Sequence, residues 1–259
     1  MQQLPTYYIN LLSRPDRRTF MENQFARLGL TAERCEATRH DDPRVIAATG
    51  KHRSTERPNG LTAAELACSL SHEAIWRTAL DRNEPLVAIF EDDAVLSAAL
   101  PDFLAKVDGA AYEAIHIETE DRRLRVLPVT QTVLPGVCLR PYLSTLHGAA
   151  GYLISRAGMH TMLASKTHLA VPVDHALFCP LRSPLRRQAL TDPGLCIQMQ
   201  RLDANASISQ SSIVEAGTRP QHPLNVRLYI KWLDSRRTLA HLASIPKGLQ
   251  RKHIEFRAA

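Results

Sequence analysis

The chain has 259 residues, 44% of them hydrophobic and 22% charged, with five cysteines and a net charge of +6. That length supports a hydrophobic core without staples, and the composition excludes a disordered or fibrous chain. No window approaches the ~18 apolar residues of a membrane-spanning helix. The cysteines (35, 68, 138, 179, 196) are odd in number and form no CxxC pair. A disulfide framework or structural zinc site is therefore not expected, and a reducing compartment fits. MQQLPTYYIN lacks a basic region followed by an apolar one, so a cytoplasmic protein without a secretory leader is expected.

In chain order, TYYINLL reads as a first strand, and SRPDRR opens a helix with Ser13 as its cap and Pro15 in its first turn. Gly29 suits that helix's end. A short strand over 32–37 follows, and the polar stretch 39–60 reads as a surface loop. Thr62-Ala-Ala-Glu65 is a capping box for a helix running to about Asp81. Ala63, Leu66, Ala67, Leu70 and Ala74 share the arc expected to face the core. Glu65, Ser69, His72 and Trp76 form a separate stripe, expected to meet a cleft or another polar element.

LVAIF (86–90) is a continuous apolar run, as in a strand covered on both faces, and it ends in Glu91-Asp92-Asp93. AIHIE (114–118) is a further strand ending in an acid. Residues 120–145 suggest a hairpin or inserted loop, and 147–154 a strand whose following helix is capped by Ser155. Pro172-Val-Asp174-His-Ala turns into a short helix. Alternating strands and helices predict an α/β fold with a mainly parallel central sheet. The charge is uneven: residues 219–257 hold nine Lys or Arg against Asp234 and Glu255. Two segments are expected, a catalytic domain over 1–218 and a basic, partly amphipathic helical tail over 219–259.

The acidic triplet is the sharpest chemical signal. Adjacent carboxylates repel one another, and the carboxyl ends of strands in open α/β sheets are where ligands bind. A hard divalent cation would relieve that repulsion and bridge the acids to a diphosphate. Asn10, Arg14, Arg17 and Arg18 follow the first strand at the same edge, where guanidinium groups could hold phosphate. Ser71-His72 and His147-Gly148 are weaker candidates for the same pocket. Asp174, a short acid in an apolar context, is a candidate general base. There is no GxGxxG after the first strand and no GxxxxGK[ST], HExxH or GxSxG.

Taken together, YYINLLSRPDRR, LTAAELACSLSHEAIWR, LVAIFEDDAVL, HGAAGYLISRAG, PVDHALF and a late Gln198…Ser211-Ser212-Ile213 resemble glycosyltransferase family 25. This family contains the bacterial lipooligosaccharide galactosyltransferases and the collagen galactosyltransferases. The resemblance implies a GT-A-like nucleotide-sugar fold, a UDP-sugar donor (most often UDP-galactose), a divalent metal (Mn²⁺ or Mg²⁺) and inversion at the anomeric carbon. By position, Glu91-Asp92-Asp93 occupies the place of the family's acidic motif, with Asp93 as metal ligand. Asn10, Arg14, Arg17, Ser71, His72, His147 and Gly148 would line the donor pocket, and Asp174 would be the base. Where the family often has Ala-x-Asp-Gly, this chain has Ala37-Thr38-Arg39-His40.

The expected partners are a UDP-sugar, a lipid-linked oligosaccharide acceptor and, through LYIKWLDSRRTLAHL (228–242), an anionic membrane surface on its cytoplasmic side. A nucleic-acid partner is not expected, because aromatic content is only 5% and the basic cluster lies outside the motif region. The alternative readings are a degenerate family member acting as a scaffold, a nucleic-acid-binding protein and a metal-dependent phosphohydrolase.

Overall fold

The structure is a computed structural model that describes residues 3–55, 57, 59–203 and 224–258. The motif residues 211–213 and the expected boundary at 218/219 lie outside the described residues.

Strand β1 (Thr6–Asn10) leads into α1 (Pro15–Leu28), which Gly29 ends in the left-handed conformation at φ +65°. Because Pro15 takes the first helical position, Arg14 rather than Ser13 stands at the cap, and no side chain closes it. β2 (Glu33–Glu36) follows, and the stretch expected as loop contains the short helix α2 (Pro43–Ala48), capped by Asp42. The capping box forms: Thr62 Oγ1 accepts from Glu65 N at 3.2 Å and Glu65 Oε2 from Thr62 N at 2.9 Å, opening α3 (Ala63–Asp81).

Next come β3 (Leu86–Glu91), β4 (Ala94–Leu96), α4 (Leu100–Lys106) and β5 (Ala114–His116). Residues 120–145 hold β6 (Arg122–Val126) and the hairpin β7 (Gln131–Leu134) to β8 (Val137–Arg140). β9 (Gly151–Ser155) then gives way to α5 (Arg156–Ser165), whose cap Ser155 accepts from Gly158 N. α6 (Val173–Phe178), β10 (Gln188–Asp192), β11 (Cys196–Gln198) and α7 (Met199–Leu202) complete the first described segment. α8 (Leu224–Ser244) and β12 (Gln250–Ile254) form the second.

The main sheet has eight strands in the order β2-β1-β3-β9-β5-β10-β8-β7. β1 pairs parallel with β2 and β3, and β5 with β10, whereas β9 runs antiparallel to both β3 and β5. Following the ladders, only β9 and β8 oppose the common direction, so the α/β expectation holds with a reversed strand at its centre. That reversal positions the site. The carboxyl ends of β1, β3 and β5 and the loop entering β9 all meet at one sheet edge.

Side-chain alternation splits the core between the two faces. Val87, Ile89, Tyr152 and Ile154 pack with Trp76 of α3, Met159 of α5 and Phe178 of α6. Ala88, Phe90, Ile115 and Leu153 pack with Phe25 of α1 and Phe103 of α4. Burying each such large side chain stabilises the fold by about 1.5–3 kcal/mol.

Two expectations need correction. The expected arc of α3 is borne out at Leu66 and Ala67, which are buried with Val45 and Leu61, but Ala74 is exposed and the stripe of Ser69, His72 and Trp76 is buried as well. Polar side chains can be buried there because Tyr152 supplies partners: its hydroxyl accepts from Trp76 Nε1 at 3.0 Å and meets His72 Nδ1 at 2.9 Å. The tail is not helical throughout either. β12 pairs antiparallel with β6 from Gln250↔Val126 to Ile254↔Arg122, and beyond it Gly194 N donates to Glu255 O while Arg257 N donates to Gly194 O. The last residues are therefore stitched into the domain. Among the described residues, no helix is long and apolar enough to cross a membrane.

Candidate active site

At the common sheet edge, a cleft of about 150 Å³ opens between the ends of β1 and β3, the segment after β2, and α3. Arg17, Ser71, His72, Glu91, Asp92 and Asp93 line it, which unites residues up to 76 positions apart in the chain.

The three adjacent acids have different surroundings. Asp92 is committed to the protein: Arg17 Nη1 donates to its Oδ1 at 2.7 Å and Asn10 Nδ2 to its Oδ2 at 2.8 Å. Asn10 in turn donates to Arg14 O and accepts from Arg34 Nε, so this expected donor contact lies beneath the cleft as a brace. Asp93 has a longer contact with Arg17, 3.5 Å, and its Oδ1 is buried without a hydrogen-bond partner. Burial, followed by the charge of Glu91, pushes the Asp93 carboxyl well above the usual carboxylate range, against the pull of Arg17.

Glu91 is held from the other side. Its Oε1 lies 3.3 Å from His72 Nε2. With Trp76 donating to Tyr152, the Tyr152 hydroxyl proton points to His72 Nδ1, which leaves His72 Nε2–H to donate to Glu91. This chain of hydrogen bonds aims the carboxylate from the core outward. Ser71 accepts from Thr38 N and donates to Ala67 O, both at 2.8 Å, and so clips the 37–40 segment to α3. Arg14 lies outside the lining, its guanidinium forked on Asp16 at 3.0 and 2.8 Å.

A second group stands at the entry to β9. Gly148 N donates to Asp174 Oδ2 at 3.1 Å and His175 N to Asp174 Oδ1 at 2.8 Å. His147 N donates to Glu120 Oε1, while the His147 ring meets His175 Nε2 at 3.3 Å. Gly148 needs to be glycine, because it sits at φ +88° and a Cβ there would strike the Glu118 carboxylate. The Cys68 thiol is pushed up by burial and then by the charges of Glu91, Asp174 and Asp93 together.

Sequence reasoning missed Glu118, Thr38, His40 and His175. Glu118 is 3% exposed, one oxygen accepting from Ala150 N at 2.8 Å and the other without a partner. Burial, followed by Glu91, raises its carboxyl well above the usual range. The strand-ending acid of AIHIE was the available signal. Thr38 and His40 line the cleft where the chain departs from the Ala-x-Asp-Gly pattern.

A divalent cation fits Glu91 and Asp93. The donors are hard oxygens, and an orphaned, desolvated carboxylate oxygen is what a cation would satisfy. The histidine clusters fit one less well. His72 Nε2 carries its proton toward Glu91, and Arg182 Nη1, 2.8 Å from His175 Nδ1, directs the His175 proton onto Nε2.

The family model for glycosyltransferase family 25 (LPS biosynthesis protein) matches residues 3–177, more than half of the chain and every residue of the cleft. The chain belongs to glycosyltransferase family 25. It is 29% identical over 191 residues to the lacto-N-neotetraose biosynthesis glycosyltransferase LgtB of Neisseria gonorrhoeae, covering 68% of this chain and 66% of that one. It is 28% identical to the lipooligosaccharide biosynthesis protein lic2B of Haemophilus influenzae, covering 95% and 93%. The matches span between 39% and 66% of the Neisseria relatives' own length. Among solved structures, mannose-1-phosphate geranyltransferase from Thermus thermophilus overlaps 73% of each chain at a TM-score of 0.41 and 10% identity. Every site residue carried over by the family resemblance falls inside the matched span.

Proposed function

We propose that this family 25 chain is an inverting glycosyltransferase with a GT-A-like nucleotide site, moving galactose from UDP-galactose onto a lipooligosaccharide-type acceptor. The observation that carries the reading is the partnerless, buried Asp93 oxygen beside Glu91, in a cleft that Arg17 also lines. Glu91 and Asp93 would hold Mn²⁺ or Mg²⁺, which supplies positive charge for the diphosphate leaving group. His72 aims Glu91, and Asn10 with Arg17 keeps Asp92 from collapsing onto its neighbours.

Asp174 is the proposed base. Its two backbone hydrogen bonds fix the carboxylate, and each oxygen keeps a lone pair for an acceptor hydroxyl. Inversion by single displacement requires that hydroxyl to attack from the face opposite the diphosphate. Asp174→Asn is therefore expected to lower turnover about 10²–10⁴-fold while UDP affinity stays within about twofold. Single-turnover transfer and UDP titration check this. Collapse of UDP binding with turnover of the bound complex unchanged would move Asp174 into the nucleotide pocket.

The acceptor's lipid gives α8 its role. Val226 and Leu233 are buried, while Leu224, Leu228, Trp232, Leu239 and Leu242 are at least half exposed. At roughly 100° per residue these five fall within about 80° of arc. Exposed Lys231, Arg236 and Lys247 flank them, and Arg236 stacks over Trp232 at 4.7 Å. A stripe so charged is complementary to an anionic bilayer, each cation adding about 1 kcal/mol at low salt. Truncating the tail would remove β12, so point changes are the cleaner test. Leu228→Glu with Trp232→Glu should reduce binding to phosphatidylglycerol vesicles at least tenfold in co-sedimentation, leaving transfer to a short soluble acceptor unchanged. Equal vesicle binding by the double variant would refute the membrane assignment.

A further inference from the structure

A second cavity, of about 570 Å³, borders the segment that leads into Asp174. Its walls come from three places: the 51–54 segment, the turn after α5 that continues through Val171, and Arg182. Tyr229 of α8 closes one side. The volume falls within the roughly 300–1,000 Å³ typical of ligand sites.

The charged side chains of its lining are all basic. Lys51, Arg53, Lys166 and Arg182 line it, with no carboxylate among the described lining residues. Several arginines elsewhere are mated to acids, as in Arg39–Asp41, Arg44–Asp42 and Arg82–Glu33. Lys51, Arg53 and Lys166 have no carboxylate partner among the described residues, and Arg53 donates only to the backbone oxygen of Gly50. The like charges of Lys51, Arg53 and Lys166 around one concavity repel one another, and a bound anion converts that repulsion into attraction. The hydroxyls of Ser54 and Thr167 keep hydrogen-bonding capacity suited to a sugar, whereas Ser165 is committed to Met162 O and Thr167.

The position decides which substrate the cavity serves. Arg182 reaches from its wall to His175 Nδ1 at 2.8 Å, adjacent to Asp174. The donor's diphosphate is accounted for at the acidic cleft, so an anion here belongs to the acceptor side. We infer that this cavity is an acceptor subsite that binds a phosphate or carboxylate group carried by the acceptor oligosaccharide. The inference rests on the glycosyltransferase reading above, and it explains how one enzyme would choose a charged glycan over a neutral one.

The test measures binding without donor or turnover. A de-O-acylated lipooligosaccharide retaining its phosphates, and the same oligosaccharide after dephosphorylation, are titrated into the full-length protein by calorimetry. The phosphorylated form should bind at least tenfold tighter, with affinity falling as salt rises. Lys51→Gln with Lys166→Gln should abolish that preference, whereas Lys51→Arg with Lys166→Arg should retain it. Equal affinity for the two glycans overturns the inference, as does a preference that survives the glutamine substitutions at an unchanged melting temperature. Competition by inorganic phosphate locates the anion subsite and supports it. Competition by phosphatidylglycerol vesicles, with no effect of glycan phosphorylation, identifies a lipid-headgroup site and overturns it. If UDP-galactose is never turned over while the phosphorylated glycan still binds preferentially, the glycosyltransferase reading fails and the anion subsite stands.

Discussion

Asp93→Asn is expected to abolish metal-dependent transfer, by about 10³-fold or more, while leaving the protein as stable as before or more stable. The two effects have opposite signs for one reason. Asp93 Oδ1 is buried without a partner, and its charge is disfavoured by burial and by Glu91. An amide of the same shape removes that unfavourable charge, a gain of up to about 1–2 kcal/mol, as at other strained functional positions. It also removes the oxygen best suited to a cation, and a lost charge contact to a leaving group is worth several kcal/mol, each ~1.4 kcal/mol being tenfold in rate. Thermal unfolding with and without Mn²⁺, alongside transfer assays, reads both effects. A folded variant that transfers at the wild-type rate under limiting Mn²⁺ would remove Asp93 from the metal site.

Asp92→Ala should behave in the opposite way, destabilising by about 3–5 kcal/mol, since it removes the 2.7 Å carboxylate contact of a buried guanidinium and the acceptor of Asn10. Arg17 and Asp92 have side chains only 6% and 10% exposed, at 2.7 Å, and Asn10 donates to the same carboxylate. For a domain of this size each kcal/mol moves the melting temperature by about 2–4 °C, so a drop of roughly 6–20 °C is expected. Replacing both partners, Arg17→Met with Asp92→Leu, should cost less than the sum of the single changes because no charge is left behind. Urea or thermal denaturation of the four proteins completes the cycle. A loss below about 1 kcal/mol for Asp92→Ala would show that the pair is not holding β1, α1 and β3 together.

Neighbouring residues with identical chemistry thus divide the work, and nothing in Glu-Asp-Asp announces which does what. The triplet's placement was legible, because a continuous apolar run must be a strand buried on both faces and its end must emerge at a sheet edge. The division depends on Arg17, which lies 75 positions earlier in the chain and reaches Asp92 only because α1 packs against the sheet. Glu118 was visible as a strand-ending acid. Its neighbours Glu91 and Gly148 became apparent only once β9 was seen to run backward between β3 and β5.

Local patterns determined the local structure: the capping box at Thr62–Glu65, the glycine that ends α1, the Ser155 cap and the apolar runs of β3 and β9. Each is written in residues a few positions apart, since caps and periodicity act over one helical turn or one strand. The family motifs were legible for the same reason, each being a contiguous stretch. The inward face of α3 was not, because His72 and Trp76 read as polar or amphipathic until the Tyr152 hydroxyl, 76 positions beyond Trp76, satisfies both. β12 was hidden likewise: Gln-Arg-Lys-His-Ile carries no alternating apolar pattern, and its strand conformation comes from the open edge of β6. The basic cavity draws Lys51 and Arg53 from an early segment and Lys166 and Arg182 from a much later one, and no local rule counts charges across that distance. Burial and charge are properties of a place in space, and the packing of the helices on the sheet decided which residues share one.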